Sequence, residues 1–170
     1  QHSPGGLATG LSSLPEEYQR FWIGWPGIPD EELTRTDKNE IIDTLKEYDS
    51  HPKFLFQQDI EQHYLGFCNE TIWPLFHYFP LRTVYEIKYW QRYKQVNEAF
   101  CDEVAKFAKP QDLIWVHDYH LMLLPQLIRE RIPGVHICYF LHIPFPSFEL
   151  FRLLPWRQQL LNGLLGADLI

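Results

Sequence analysis

The chain has 170 residues, of which 45% are hydrophobic and 22% are charged, a composition typical of one packed globular unit. Its net charge of -7 argues against general nucleic-acid binding, because contacts to phosphates need a basic surface. No apolar run approaches the length of a membrane span and the first residues do not resemble a secretory leader, so we expect a cytoplasmic protein.

The cysteines indicate neither a disulfide framework nor a zinc site. Cys68, Cys101 and Cys138 are odd in number and widely spaced, and no two of them form a CxxC pair. We expect reduced and mostly buried thiols.

The first part of the chain gives mixed signals. Residues 3–10, "SPGGLATG", are rich in glycine and lead into a predicted helix, so they form either a tight turn or a backbone that approaches a phosphate or sugar. "FWIGW" (21–25) predicts a short strand and "KFLF" (53–56) a second one. Proline, glycine and charged residues in the segment 26–40 predict a loop without regular structure.

Residues 57–78 have helical character that Gly66 and Pro74 interrupt. Tyr64 and Trp73 could flank a sugar ring, but nine residues of α-helix rotate by about 900° and would place them on opposite faces. They converge only if the helix breaks between them, with Gly66 as a candidate break. The alternative is two ordinary core aromatics.

The second half has the most regular pattern. Apolar residues recur every three or four positions from 83 to 108 and predict one long amphipathic helix. "DLIWVHD" (112–118) and "VHICYFLHI" (135–143) read as nearly continuous apolar strands, with a helix over 119–132 between them. This βαβ pattern predicts an α/β fold with a parallel sheet covered by helices on both faces. The last residues, 163–170, resemble the start of another strand.

Polar residues follow both predicted strands. His117 and Asp118 end the first and His142 ends the second, so all three should lie at the same edge of the sheet, where α/β proteins bind ligands. Asp118 is either an N-cap of the next helix or a ligand for a sugar hydroxyl. His142 is either a hydrogen-bonded core histidine or a ligand, and the prolines Pro144 and Pro146 favour a fixed binding loop.

A metal site is poorly supported. "HDYH" (117–120) offers two histidines and a carboxylate, and His136 or His142 could approach it, but no second cluster has ligand spacing. We therefore expect no metal.

Five segments in this order and spacing resemble the trehalose-6-phosphate synthases of glycosyltransferase family 20: "SPGGLATGL", "FWIGWPG", "FCNETIWPLFHY", "IWVHDYHLMLLPQLIR" and "FLHIPFPSFELFRLLP". The resemblance covers essentially the whole chain. It implies retaining transfer of glucose from UDP-glucose to glucose 6-phosphate, giving trehalose 6-phosphate and UDP. The last segment is also similar to versions in which a phosphatase domain follows the synthase.

The same resemblance implies roles for individual residues. Gly6 would lie against the donor. Asp118 and His142 would face the two sugars where donor and acceptor meet. The pocket for glucose 6-phosphate would be formed by Trp25, Tyr64 and Trp73. The family implies that neither a metal nor another cofactor takes part.

The resemblance also implies an architecture. Family members have two Rossmann-like lobes in the GT-B arrangement, and residues 1–170 would be a partial acceptor-side N-terminal lobe. It would lack the first strand, whose Asn-Arg pair grips the acceptor phosphate, and the C-terminal lobe that binds the nucleotide. We therefore expect the chain by itself to be inactive, and its oligomeric state stays open.

A catalytically inactive, regulatory relative of the synthases is the alternative. Such a protein would bind a sugar phosphate or a protein partner without transferring glucose. The presence of Asp118, His142, Tyr64 and Trp73 favours the enzyme.

Overall fold

The computed structural model describes residues 20–170, so Gly6 and the glycine-rich segment lie outside the described part. Within it the strands are β1 (Trp22–Gly24), β2 (Ser50–Pro52), β3 (Leu113–His117) and β4 (His136–Phe140). The helices are α1 (Arg35–Lys46), α2 (57–76), α3 (Ile87–Val104), α4 (Leu124–Arg131), α5 (Phe148–Phe151) and α6 (Arg157–Leu164).

The strands form two parallel pairs in the described residues, β1 with β2 and β3 with β4. Helix α4 connects β3 to β4, so the predicted βαβ unit is confirmed. Leu169 forms a single parallel bridge to Cys138 of β4, which agrees with a strand beginning near the end of the chain.

The predicted loop over 26–40 is wrong beyond Leu33, because helix α1 begins at Arg35. A reciprocal capping box starts the helix: the backbone N–H of Thr34 donates to Oδ2 of Asp37 over 2.8 Å, and the N–H of Asp37 donates to Oγ1 of Thr34 over 3.2 Å. Thr-x-x-Asp was the local signal for this helix, and the charged residues around it concealed the pattern.

The second predicted strand is also misplaced. Strand β2 occupies Ser50–Pro52, whereas the prediction was 53–56. Leu55 forms only an isolated bridge with Pro29, and the N–H of Lys53 still donates to the carbonyl of Gly24 over 2.7 Å. Pairing with β1 therefore decides where the strand lies.

Helix α2 runs through Gly66 without a break, contrary to the prediction. Its first and last turns are α-helical, and residues Ile60–Ile72 form a π-helix with i→i+5 hydrogen bonds. Gly66 is buried because α3 approaches closely: a Cβ at this position would lie 2.7 Å from Cδ1 of Tyr89. The glycine allows two helices to pack closely.

Helix α3 is shorter than the predicted 83–108. Residues before Ile87 are held in extended form against the end of α2, since the N–H of Val84 donates to the carbonyl of Glu70 over 2.9 Å. Oγ1 of Thr71 also donates to the carbonyl of Val84, over 2.5 Å. These tertiary contacts keep the segment before Ile87 extended, although its apolar periodicity predicts a helix.

The core lies where α2, α3 and the βαβ unit meet. Its largest completely buried side chains include Tyr93, Phe67, Phe76, Ile128 and Ile137. The three cysteines have free thiols, two of them buried and Cys138 half-buried, as predicted. None of the helices between residues 20 and 170 is long and apolar enough to cross a bilayer.

Gly66→Ala should lower the free energy of unfolding by about 1–3 kcal/mol, because the added methyl group would overlap the ring of Tyr89. In a Tyr89→Ala background the ring is gone, so the cost should fall below about 1 kcal/mol. Urea unfolding of the four proteins measures this coupling. If Gly66→Ala lowers the free energy of unfolding equally with and without Tyr89, the ring of Tyr89 is not the cause of the loss.

Candidate functional site

Asp118 occupies a strained backbone position directly after β3. Its φ of 69° and ψ of 170° lie in a region that is normally reserved for glycine and that costs other residues on the order of 1–3 kcal/mol. Its N–H donates to the carbonyl of Phe140 over 2.7 Å, which ties the ends of β3 and β4 together. Persistent strain of this kind is concentrated at functional sites.

The carboxylate of Asp118 holds two loops at once. Oδ1 accepts from the N–H of Tyr119 over 2.9 Å and so caps the 3-10 helix Tyr119–Leu121, which was one of the two alternatives for this residue. The same oxygen accepts from the N–H of His142 over 3.4 Å, a long hydrogen bond. Oδ2 is 3.8 Å from Nδ1 of His120 and makes no closer described contact.

His142 lies beside Asp118, and the predicted common edge of the two strands is confirmed. Its side chain is exposed, so the alternative of a core histidine is wrong. Nε2 of His142 lies 3.2 Å from Nδ1 of His117, within hydrogen-bond distance. Burial and the neighbouring His142 lower the pKa of His117, and the nearby Asp118 carboxylate opposes this shift.

On the other side of Asp118 the rings of His120, Tyr64 and Trp25 follow one another. His120 stacks on Tyr64 with ring centroids 5.5 Å apart and an angle of 15° between the planes. The Tyr64 ring is 6.0 Å from that of Trp25, whose Nε1 donates to the carbonyl of Ile28 over 3.1 Å. The predicted acceptor residues Trp25 and Tyr64 are therefore neighbours.

These contacts form one continuous series of side chains, which we call the edge row. It comprises Trp25, Tyr64, His120, Asp118, His142, His117 and Trp22. The sequence pointed to several of its members. Trp22 was missed as a site residue, although the short strand that contains it was predicted. His120 was considered only as a metal ligand, whereas His117 was also expected at the ligand-binding edge of the sheet.

The π-helix decides where Trp73 lies relative to Tyr64. Its i→i+5 bonding makes each turn wider than an α-helical one, so nine residues rotate by less than the roughly 900° of an α-helix, and the argument for opposite faces no longer applies. Both side chains are partly exposed, Tyr64 by 37% and Trp73 by 42%. Trp73 stacks on His77 at 3.9 Å and has no described ring contact with the edge row among residues 20–170.

Buried side chains of α2 and α3 hold the backbone beneath the edge row. Nε2 of His63 donates to the carbonyl of His120 over 3.0 Å, and Nδ2 of Asn97 donates to the same carbonyl over 3.3 Å. The hydroxyl of Tyr93 donates to the carbonyl of Tyr119 over 2.8 Å. Burial lowers the pKa of His63 to about 4, so this ring is neutral at physiological pH.

Within residues 20–170 no group of three His, Cys, Asp or Glu side chains could hold a metal ion. His136 begins β4 and His142 follows its end, so they lie at opposite ends of that strand. Independence from metals and cofactors stays a prediction, as does the role of Gly6.

A family model described as Glycosyltransferase family 20 matches residues 1–170. The chain belongs to glycosyltransferase family 20. It is 46% identical over 169 residues to UDP-forming alpha,alpha-trehalose-phosphate synthase A of Dictyostelium discoideum, covering 99% of this chain and 22% of that protein. The resemblance read from the sequence is thus confirmed.

Solved structures agree with the family assignment. The fold is similar to that of a Burkholderia xenovorans alpha,alpha-trehalose-phosphate synthase in complex with glucose-6-phosphate, with a TM-score of 0.80, 29% identity and coverage of 99% of this chain and 38% of that chain. It is also similar to the N-terminal domain of Candida albicans trehalose-6-phosphate phosphatase, with a TM-score of 0.72, 42% identity and coverage of 86% and 31%. The predicted α/β, Rossmann-like GT-B fold class is confirmed.

This family 20 chain spans only part of its relatives, between 22% and 38% of the three proteins described above. The activity, substrates and partners of the full-length protein are therefore matters of proposal. The assignment of residues 1–170 to the acceptor-side lobe likewise stays a prediction.

His63 should make stability depend on pH between about 4 and 6.5. The unfolded state binds a proton near pH 6.5 and the folded state only near pH 4, so the free energy of unfolding falls as the pH drops through this window. The shift corresponds to about 3 kcal/mol. Urea unfolding at pH 7.5 and pH 4.5 should show a smaller pH-dependent loss for His63→Phe than for the wild type.

The control for this experiment is His136→Phe, which replaces an exposed histidine and should keep the wild-type dependence on pH. If His63→Phe loses as much stability at pH 4.5 as the wild type does, His63 is not the titrating group.

Proposed function

We propose that the full-length protein transfers glucose from UDP-glucose to glucose 6-phosphate with retained configuration, giving trehalose 6-phosphate and UDP. The observation that carries this proposal is the Asp118 carboxylate at the centre of the edge row, which a strained backbone holds in place. An unstrained residue could cap the 3-10 helix equally well, so capping does not explain the strained backbone of Asp118. The strain supports a role in presenting an oxygen to a ligand.

The acceptor would lie against the aromatic side of the edge row. Trp25 and Tyr64 offer neighbouring ring surfaces, and Trp73 of the same helix as Tyr64 would lie on the same side. Aromatic faces with a few polar groups are typical of sugar sites. The Burkholderia xenovorans relative is described with glucose-6-phosphate bound, which supports the same acceptor class for this protein.

The edge row contains no lysine or arginine to bind the acceptor phosphate. The family resemblance implies that an arginine of the first strand supplies this contact, and that the second lobe binds the UDP diphosphate. The proposed partners of this chain are therefore the two substrates and the C-terminal lobe. No resident metal or cofactor is part of the proposal, and a cytoplasmic location remains its expected setting.

The proposed chemistry requires positioning and charge stabilisation. The acceptor hydroxyl attacks from the side that UDP leaves, and its proton passes to the leaving phosphate oxygen. Asp118 and His142 would orient sugar hydroxyls while the glucosyl unit acquires oxocarbenium character. Among residues 20–170 the described side-chain contacts of Asp118 are with Tyr119, His120 and His142, which favours this route over one that uses a carboxylate pair.

A second candidate is an inactive synthase-like domain attached to a phosphatase. The similarity to the N-terminal domain of the Candida albicans trehalose-6-phosphate phosphatase favours it, since a similar domain occurs there in a protein that is named as a phosphatase. The retained Asp118 and His142 favour the synthase. Wild-type full-length protein that binds glucose 6-phosphate without releasing UDP would decide for the second candidate.

The first test separates stability from transfer at position 118. Glycine adopts the backbone angles of Asp118 without strain, so Asp118→Gly should be more stable than Asp118→Ala by about 1 kcal/mol. Both variants of the full-length protein should lose at least about 100-fold in UDP release, because neither presents a carboxylate. His142→Ala should lose transfer as well, with little change in the unfolding midpoint.

Near-wild-type turnover of Asp118→Gly would remove the carboxylate from the mechanism. An Asp118→Ala protein as stable as Asp118→Gly would instead show that the backbone at this position carries no strain.

The second test concerns the acceptor. Trp73→Ala in the full-length protein should raise KM for glucose 6-phosphate about tenfold and leave KM for UDP-glucose within about twofold, because the indole would face only the acceptor. Phe107→Ala is the control, an equally exposed aromatic that packs on Phe21 and His51 outside the edge row. A larger change for UDP-glucose would place Trp73 on the donor side.

A further inference from the structure

His117 is enclosed by rings at the end of β3. Its ring centroid is 5.9 Å from that of Trp22 and 5.4 Å from that of His142, with angles of 29° and 27° between the ring planes. Trp115 of the same strand lies 5.0 Å away. The main chain of His117 pairs in register with Phe140 of β4. Strand pairing and ring packing therefore fix this imidazole.

The ring of His142, by contrast, depends on a single polar contact. It is exposed, and among residues 20–170 its described side-chain hydrogen bond is the one between its Nε2 and Nδ1 of His117, at 3.2 Å. Phe140 offers only an apolar ring at 4.7 Å. A neutral imidazole has one N–H donor and one acceptor nitrogen, so engaging Nε2 determines what Nδ1 can offer.

We propose that His117 is a positioning residue that holds the ring of His142 in one orientation. This inference rests on the proposed function, in which His142 orients a sugar hydroxyl. Once Nε2 is bonded to His117, Nδ1 of His142 has a fixed direction; it accepts a hydrogen bond when Nε2 donates to His117 and donates one when Nε2 accepts. The transfer step then pays no penalty for selecting one of two ring orientations.

The electrostatic surroundings agree with this role. The titratable groups described as acting on His117 are His142 and Asp118, and the packed residues of β1 and β3 contribute uncharged indoles. Burial lowers the pKa of His117, which keeps it neutral when the protein is near neutral pH. Two protonated imidazoles at this distance would repel each other.

The experiment uses three single variants of the full-length protein, together with a His142→Ala background. His117→Phe keeps a flat ring between its neighbours and removes the hydrogen bond. His117→Asn restores a donor or acceptor atom bonded to Cγ, the place that Nδ1 occupies in histidine. His136→Phe is the matched control, since it makes the same chemical change at an exposed histidine at the other end of the paired strands.

We expect His117→Phe to lower kcat by at least about tenfold and to leave KM for glucose 6-phosphate within about twofold. His117→Asn should recover kcat to within about threefold of the wild type, and His136→Phe should match the wild type. In a His142→Ala background, His117→Phe should cause no further loss. A wild-type kcat in His117→Phe, no recovery in His117→Asn, or a further loss in the double variant would each overturn the proposal.

A second readout does not depend on transfer. Nitrogen NMR of proteins labelled in histidine should show a hydrogen-bonded Nε2 of His142 in the wild type and in His117→Asn, and an Nε2 without this bond in His117→Phe. If the full-length protein transfers no glucose but the Nε2 signal changes in this way, the proposed function fails and the positioning of His142 by His117 stands. An unchanged spectrum of His142 in His117→Phe overturns the inference whatever the activity.

Discussion

The candidate site depends on the backbone of Asp118, which joins the ends of two parallel strands in a conformation that costs energy. The N–H of Asp118 bonds to β4, and its carboxylate bonds to the residues that follow both strands. One carboxylate oxygen therefore sets the relative position of Tyr119 and His142. The packing of the βαβ unit offsets the energetic cost of the strained angles, since its strand register leaves the residue little freedom.

The π-helical part of α2 is the second constraint. Its wider turn changes the angle between Tyr64 and Trp73 from that of an α-helix, and its close approach to α3 needs a glycine at position 66. From the same helix, His63 reaches under the edge row and supports the carbonyl of His120. A single helix thus lines the candidate acceptor side and also supports it from within the core.

Sequence reasoning failed where charged residues obscured a local signal and where contacts with distant residues decide the local structure. Helix α1 was read as a loop because its charged residues obscured the capping box at Thr34. The start of α3 was placed too early because the periodic pattern cannot show that Val84 is bonded to α2. In the same way, Gly66 resembles a helix breaker until the ring of Tyr89 is seen beside it.

The sequence by itself determined the βαβ unit, the common edge of Asp118 and His142, and the family, because apolar strand patterns and motif order are properties of the linear chain. Only the tertiary structure decided that Asp118 is strained, that His142 is exposed and paired with His117, and that Trp22 and His120 extend the edge row. These features depend on the angles and packing between elements far apart in the chain, which no local pattern of residues encodes.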